Sequence, residues 1–437
     1  MKRLLPALLV VACTEYKFQQ HIEEEDLGVD SADTSIPIDT AMPMDTAPIE
    51  DCEDFVEPTV MTPAQDESCL NEPEVGTFNP VVEWQWDTNP FYSGYDDIMS
   101  TPAIANLTDD DGDGDIDEDD IPDIVFTSFS GGSYTSAGTV TAISGDGSGT
   151  HWSVKDTAYP TYSSSGVAIG DLEGDGSPEV CVSGTTRSVV CFNADGTLKW
   201  ASNTTAVYGY GAPAIADMDG DGYAEVIFGS LILDYQGQYI AEGAHGVGRS
   251  YMSFAVDMDD DGMLEVVAGN AVYEMDGSTV WYDGGTDGVP AVGDFDGDGL
   301  PEVVRTASGT VILSDTDGTT LWSTAIPGGG TGGAPTVADF DGDDEPEVGV
   351  AAYAYYTVFE TDGSVLWSNP VQDHSSSVTG SSVFDFEGDG AAEVVYADEV
   401  TLWVFDGATG TVLMEQTGHA SGTLYEYPLV ADVDNDG

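Results

Sequence analysis

Basic side chains are almost missing from this chain. Lysine and arginine together number 8 in 437 residues, against 81 aspartates and glutamates, a formal charge of −73. A nucleic-acid partner is excluded, because binding one means neutralising phosphates with Lys and Arg. Anionic membrane surfaces are disfavoured for the same reason. Histidine is scarce too: His21, His151, His245, His374 and His419 are all there are. No GxSxG elbow, HExxH pair or P-loop is present. "GHASG", residues 418–422, is a lone His near a Ser with no evident third partner. Three of the histidines lie in loops where a site is conceivable, yet solvated loop residues are the favoured reading for them.

Cysteine is limited to five positions. Cys13 ends an apolar run, Leu4 to Ala12, that follows Lys2-Arg3. The run is too short to span a bilayer and reads as an export signal over residues 1–12. "VVAC" resembles the lipobox of bacterial lipoproteins, which implies lipidation of Cys13. Thr14 stands where an inner-membrane retention Asp is absent, so the resemblance implies the outer membrane. An ordinary secretory signal is the alternative; both readings put the mature chain outside the cytoplasm, at the cell surface or secreted. In an oxidising compartment the other cysteines are expected to pair. Cys181 and Cys191 flank a short hairpin signal in "EVCVSGTTRSVVCF", and Cys52–Cys69 is the other pair.

Residues 13–78 lack any apolar period. They are rich in Asp, Glu, Thr and Pro, as in "DTSIPIDTAMPMDTAPIEDCEDF". Such composition cannot bury enough surface to fold, which predicts a disordered, self-repelling tether.

What is plentiful is glycine, 53 residues, and a ten-residue acidic motif. "DFDGDGLPEV" begins at Asp294, and related copies begin at Asp171, Asp217, Asp257, Asp339 and Asp385, with a further start at Asp432 that the chain does not finish. Successive starts lie 46, 40, 37, 45, 46 and 47 residues apart. An expanded copy occupies residues 106–125, "NLTDDDGDGDIDEDDIPDIV". Each copy follows a short apolar strand and precedes a β-branched run. Two more strands follow, joined by Asp-Gly hairpin signals, and the last usually carries Trp. Four strands in about 45 residues fit one blade of a β-propeller. Residues 79–437 therefore read as an all-β propeller of seven full four-stranded units, with seven or eight blades in the ring. "NPVVEWQW", Asn79 to Trp86, looks like an orphan Trp strand able to close the ring.

Numbered from its first Asp, the motif puts carboxylates at positions 1, 3, 5 and 9 and usually Gly at 6. Alternate side chains of a tight loop can meet at one point, and Ca²⁺ takes six to eight oxygens. Mg²⁺ prefers to keep its waters, while zinc and copper want His or Cys, which these loops lack. Polar turns without a metal are the alternative. The predicted Ca²⁺ ligands are Asp171, Glu173, Asp175 and Glu179; Asp217, Asp219, Asp221 and Glu225; Asp257, Asp259, Asp261 and Glu265; Asp294, Asp296, Asp298 and Glu302. They continue with Asp339, Asp341, Asp343 and Glu347; Asp385, Glu387, Asp389 and Glu393; and Asp432, Asp434 and Asp436. In the expanded copy Asp109, Asp111 and Asp113, with Asp117 and Asp120, suit an EF-hand-like loop, whereas Asn106 and Asp123 occupy the usual motif's ends. Asp344 stands at a position 6 and predicts a strained or altered loop.

The units resemble FG-GAP and VCBS repeats, the calcium-loop blades also found at the head of integrin α chains. "GYGAPAIADMDGDGYAEVIFG", residues 209–229, carries the likeness, with a literal Gly-Ala-Pro at 211–213 and again at 333–335. The resemblance implies the propeller fold and calcium. It also implies ligand binding on the face opposite the calcium loops, where fourth strands lead into first strands. Residues expected there are Tyr92, Tyr95, Tyr159, Tyr162, Tyr208, Tyr210, His245, Arg249, Tyr251, Tyr425 and Tyr427. Exposed Tyr suits a protein or glycan ligand; packing between blades is the competing expectation. The functional reading is a cell-surface interaction or adhesion module. A polysaccharide lyase-like enzyme, or a scaffold for further domains, is the alternative.

Overall fold

The computed structural model describes residues 78, 80–110, 112–114, 116–117, 119–205 and 209–435. The expectations for the export signal, Cys13, the tether, Cys52–Cys69, Asp111, Tyr208 and Asp436 lie outside those residues.

Seven four-stranded antiparallel sheets follow one another, each a simple meander. Blade 1 is Ala103–Ala105, Asp123–Ser128, Thr139–Ser144 and Thr150–Val154. Blades 2 to 7 run over 167–201, 214–242, 254–282, 289–325, 336–370 and 381–417. First strands of successive blades lie side by side, which builds a β-propeller.

Burial explains the composition of each strand. The second strands are sandwiched between neighbouring blades, so both faces are covered; Glu179–Ser183, Glu302–Ala307 and Glu347–Ala351 are buried throughout. A strand covered on both faces reads as a continuous apolar run. The fourth strands lie at the rim, and Thr320–Ala325 shows a largely exposed pattern. Short, small first strands such as Ala214–Ala216 are half-buried.

The rim tryptophans and the hairpin glycines belong to one device. In five blades a Trp lies flat on the glycine of the next blade's last hairpin, while blades 3 and 7 have Ala241 and Met414 at that place. A Cβ on Gly196 would sit 2.7 Å from the Trp152 ring, and one on Gly363 would sit 2.7 Å from the Trp322 ring. Trp200 on Gly237, Trp281 on Gly318 and Trp367 on Gly410 repeat the contact. Each of these glycines also has positive φ, which Gly adopts without strain. The indole N–H anchors four of these stacks, Trp281 being the exception: Trp322 Nε1 donates to the Thr361 carbonyl at 2.8 Å, Trp152 Nε1 to that of Ala194 at 2.8 Å, and Trp200 and Trp367 bond likewise.

Cys181 and Cys191 face each other across the second and third strands of blade 2 and form a disulfide, with Cα atoms 4.1 Å apart. One buried ion pair joins Arg305, 2% exposed, to Asp283. Arg305 also donates to the Thr286 carbonyl and Ser314 Oγ.

Residues 80–89 are not in a strand, contrary to the expectation for Asn79 to Trp86. Trp84 nevertheless stacks on Gly147, in blade 1's last hairpin. Trp86 meets Phe126 edge-on at 4.8 Å.

Candidate metal loops and the opposite mouth

The acidic motifs link first to second strands. In blade 5 the first strand ends at Gly293 and the second begins at Glu302, position 9. The loop is held by its own carboxylates. Asp294 accepts N–H bonds from Gly297 (2.8 Å) and Gly299 (3.0 Å), Asp296 from Asp298 (3.1 Å), and Asp298 from Leu300 (2.9 Å). Positions 4 and 6 both need a left-handed backbone: Gly297 has φ 73° and Gly299 φ 90°. Only position 6 was evident in the sequence. Where a non-glycine occupies either place it is Asp or Asn, the residues that tolerate this region best. Asp260 has φ 60°, Asn435 φ 56°, and Asp344 keeps the loop shape with φ 69°.

Position 9 is the deepest group. Glu302 is fully buried, and its Oε2 accepts the N–H of Phe295 at 2.7 Å. Its other oxygen is buried with no hydrogen-bond partner. Glu347 repeats this arrangement: Oε2 takes the Phe340 N–H at 2.8 Å, and Oε1 is orphaned. Glu179, Glu225, Glu265 and Glu393 bind the N–H of Leu172, Met218, Met258 and Phe386 in the same way. Burial, aided by the neighbouring aspartates, pushes the Glu225, Glu265 and Glu347 carboxyls up to about 7. Glu393 rises to about 8 through burial and the adjacent Glu387. A buried carboxylate with one oxygen unsatisfied is costly unless a positive partner meets it.

Positions 1, 3 and 9 supply the convergence. In five loops one oxygen from each lies within 4.8 Å of the other two: Asp171, Glu173, Glu179; Asp217, Asp219, Glu225; Asp257, Asp259, Glu265; Asp294, Asp296, Glu302; Asp339, Asp341, Glu347. Position 5 mainly turns the chain, since Asp221 and Asp343 each accept the N–H of position 7. This donor set, all oxygen and mostly carboxylate, fits a hard cation such as Ca²⁺.

Two blades carry a cation of their own. Lys199 of blade 2 reaches from the fourth strand into the acidic cluster, its Nζ 2.5 Å from Glu173 Oε1 and 2.9 Å from Glu179 Oε1. Burial lowers the ammonium's pKa, and the two glutamates more than reverse that, so it is raised. In blade 1 the position-9 group is Asp123, which is fully buried and accepts the Leu107 N–H at 3.0 Å. His151 Nε2 lies 2.7 Å from its Oδ1, and this contact raises the imidazole's pKa. Asp109 accepts the Gly112 N–H, while Asp120 accepts those of Asp110 and Asp117. His151 and Lys199 occupy one structural position, immediately before the rim Trp. Blades 3 to 7 have Ile240, Val280, Leu321, Leu366 and Leu413 there. Sequence reasoning missed both cations; that alignment of fourth strands was the available signal.

On the opposite face a cavity of about 740 Å³ is lined from around the ring by Phe129, Tyr134, Tyr210, Arg249, Ser376 and Tyr425, among others. Tyr162, Tyr210 and Tyr425 form a ladder with centroids 5.6 and 6.1 Å apart. Arg249 lies 5.9 Å from the Tyr425 ring and donates to the Gly332 carbonyl and Thr331 Oγ1. It begins a turn in which Ser250 and Tyr251 both have positive φ, a sparsely populated conformation for such residues. The other candidates are spread out. Tyr92 and Tyr95 pair edge-on beside Lys155, Tyr251 stacks on Phe228, and His245 stacks on Tyr282. Tyr159 packs against the core between blades 1 and 2, and Tyr427 is packed over Gly380. Of the residues named from sequence, the structure brings Tyr210, Arg249 and Tyr425 to one mouth.

Residues 115–182, 174–228 and 294–350 match the family model of the FG-GAP-like repeat. No curated protein sequence matches the chain. Among solved structures, the V. cholerae biofilm matrix protein Bap1 is similar, at 20% identity and a TM-score of 0.70 over 81% of this chain and 86% of that one. Rhamnogalacturonan lyase YesW is 15% identical over 78% of this chain and 75% of that one, with a TM-score of 0.46. With the repeat model matched in three places and seven four-stranded sheets in succession, the chain is a seven-bladed β-propeller that carries FG-GAP-like repeats over residues 115–228 and 294–350.

Proposed function

We propose that this is an exported, calcium-stabilised propeller that acts as a cell-surface interaction or adhesion module. The observation that carries the calcium reading is the orphaned, fully buried oxygen of Glu302 and of Glu347, each aimed into a loop with two more carboxylates. Ca²⁺ would be held there by positions 1, 3 and 9 and would neutralise carboxylates that otherwise repel one another. The Cys181–Cys191 disulfide supports an oxidising, extracytoplasmic setting. Lipidation at Cys13 and an outer-membrane position complete the proposal.

The ligand, a protein or a glycan, is assigned to the mouth with Tyr210, Tyr425 and Arg249. Aromatic faces and one fixed guanidinium suit sugar rings or a polar peptide. A biofilm matrix protein is among the structural neighbours. A glycan and protein-ligand array tests the reading: binding that Arg249→Gln abolishes supports it. Turnover of a polysaccharide by the purified chain would replace it with the enzyme alternative.

A further inference from the structure

Among the described residues, two edges of a blade lie beside blade 1 with an open groove between them. One edge follows blade 7. Ser382 Oγ, three residues before the first Asp of its motif, donates to the Pro428 carbonyl, four residues before Asp432. Thr336 and Ser381 make the same bond one blade earlier, again three residues and four residues before their first aspartates. The Val433 carbonyl covers Gly145 in blade 1's last hairpin, as the Phe340 carbonyl covers Gly407 in blade 7's. Residues 428–435 therefore stand where a first strand and its acidic loop stand in every other blade.

The other edge comes from before blade 1. Trp84 lies on Gly147 as each rim Trp lies on the hairpin glycine of the following blade. It holds the place of a fourth strand. Between the two edges runs an apolar groove lined by Trp84, Trp86, Ile124, Phe126, Leu429 and Val433. Ile124 and Phe126 are alternate residues of one strand, so they share the face of blade 1 turned away from blade 2. In blade 4 the corresponding face carries Val266 and Ala268, and these pack on Ile227 and Ile232 of blade 3's second and third strands.

We propose that this groove is the seat of two middle strands and that its occupant is an antiparallel β-hairpin of the blade type. Its first strand opens on a carboxylate. In the complete loops position 9 begins the second strand, so a hairpin seated here brings that carboxylate to Asp432 and Asp434. The chemistry required is therefore specific: a glutamate, then two β-branched strands joined by a tight turn. A second copy of this chain presents no free hairpin of this kind, since the described hairpins are all built into blades.

The test appends a copy of Met263–Tyr273 after Gly437 of the full chain. Met263 is position 7 of its own loop, so the copy continues the register of Asp432 and puts Glu265 at position 9. Loss of hydrophobic-dye binding and an upward shift of melting temperature are expected, with one more bound Ca²⁺. The Glu265→Gln form of the copy should keep the loss of dye binding and lose the added ion. Two results overturn the proposal. One is melting and dye binding equal to the parent's, or gained equally by a copy with Val266→Asp and Val267→Asp. The other is a parent chain that sediments as a dimer whose groove stays covered after the extension.

Discussion

Lys199 makes the metal reading sharply testable. Its ammonium sits among Glu173, Glu179 and Asp171, where the loops of blades 3 to 6 present only carboxylates. The loop of blade 2 therefore has its positive charge built in, and a Ca²⁺ ion proposed for that loop would have to displace it. The variant Lys199→Met keeps the aliphatic stem that packs along the strand and removes the charge. Without calcium, Glu179 is left buried and uncompensated. Breaking a buried pair by removing one partner costs about 3 kcal/mol at the lower end of measured values. For a domain of this size, with an unfolding entropy of about 2.1 cal/mol/K per residue, that loss is a fall of roughly 4 °C in melting temperature. At free calcium about a hundredfold above its dissociation constant, an ion in the vacated site returns about 2.7 kcal/mol. The variant should thus melt below the parent in chelator and nearly with it in calcium.

Differential scanning calorimetry in chelator and in calcium reads the first effect, and calorimetric titration reads the number of ions bound. The expected signature is one more ion per chain in Lys199→Met than in the parent. An equal ion count, with an equal melting difference in both buffers, would show that the lysine does not stand in for the metal. No ion bound to either protein would instead remove the calcium reading itself.

Chelation of the parent should lower its melting temperature sharply, because about 2.7 kcal/mol per occupied loop approaches a domain's whole net stability after only a few sites; unchanged melting in excess chelator refutes this. In chelator, stability should fall as pH rises from 5 to 8. Glu225, Glu265 and Glu347 have folded-state pKa values near 7 and Glu393 near 8, above the ordinary 4.5, so the folded chain holds protons the unfolded chain has released. Saturating calcium should flatten that slope, and urea unfolding across the range checks both. Gly363→Ala should destabilise by about 2 kcal/mol or more, since it combines a left-handed backbone with a Cβ pressed into the Trp322 ring, whereas Gly297→Asn, at an open left-handed site, should cost well under that. Arg305→Ala should cost about 3–5 kcal/mol by stranding Asp283, measured as a shift in the denaturation midpoint.

The blades were legible because their signals are local: a period of about 45 residues, β-branched runs, and Asp-Gly turns. The acidic motif gave away its position between first and second strands for the same reason. What was not legible depends on which residues meet across blades. Trp322 and Gly363 look like separate rim and turn features until the ring sets one on the other. Lys199 looks like an exposed strand residue, and Thr320–Ala325 shows how exposed a fourth strand can be. The register shift between third and fourth strands, present in every blade, sets where the residue before each Trp points. That residue is aliphatic in five blades and basic in two, so a local sequence choice decides which loops carry their own cation. The tyrosines illustrate the opposite limit. Tyr210 and Tyr427 occupy similar loops, yet one borders the mouth and the other is packed over Gly380. Aromatic content pointed to the face opposite the acidic loops, but only packing separates Tyr210, which borders the cavity there, from Tyr427, which helps hold the ring together.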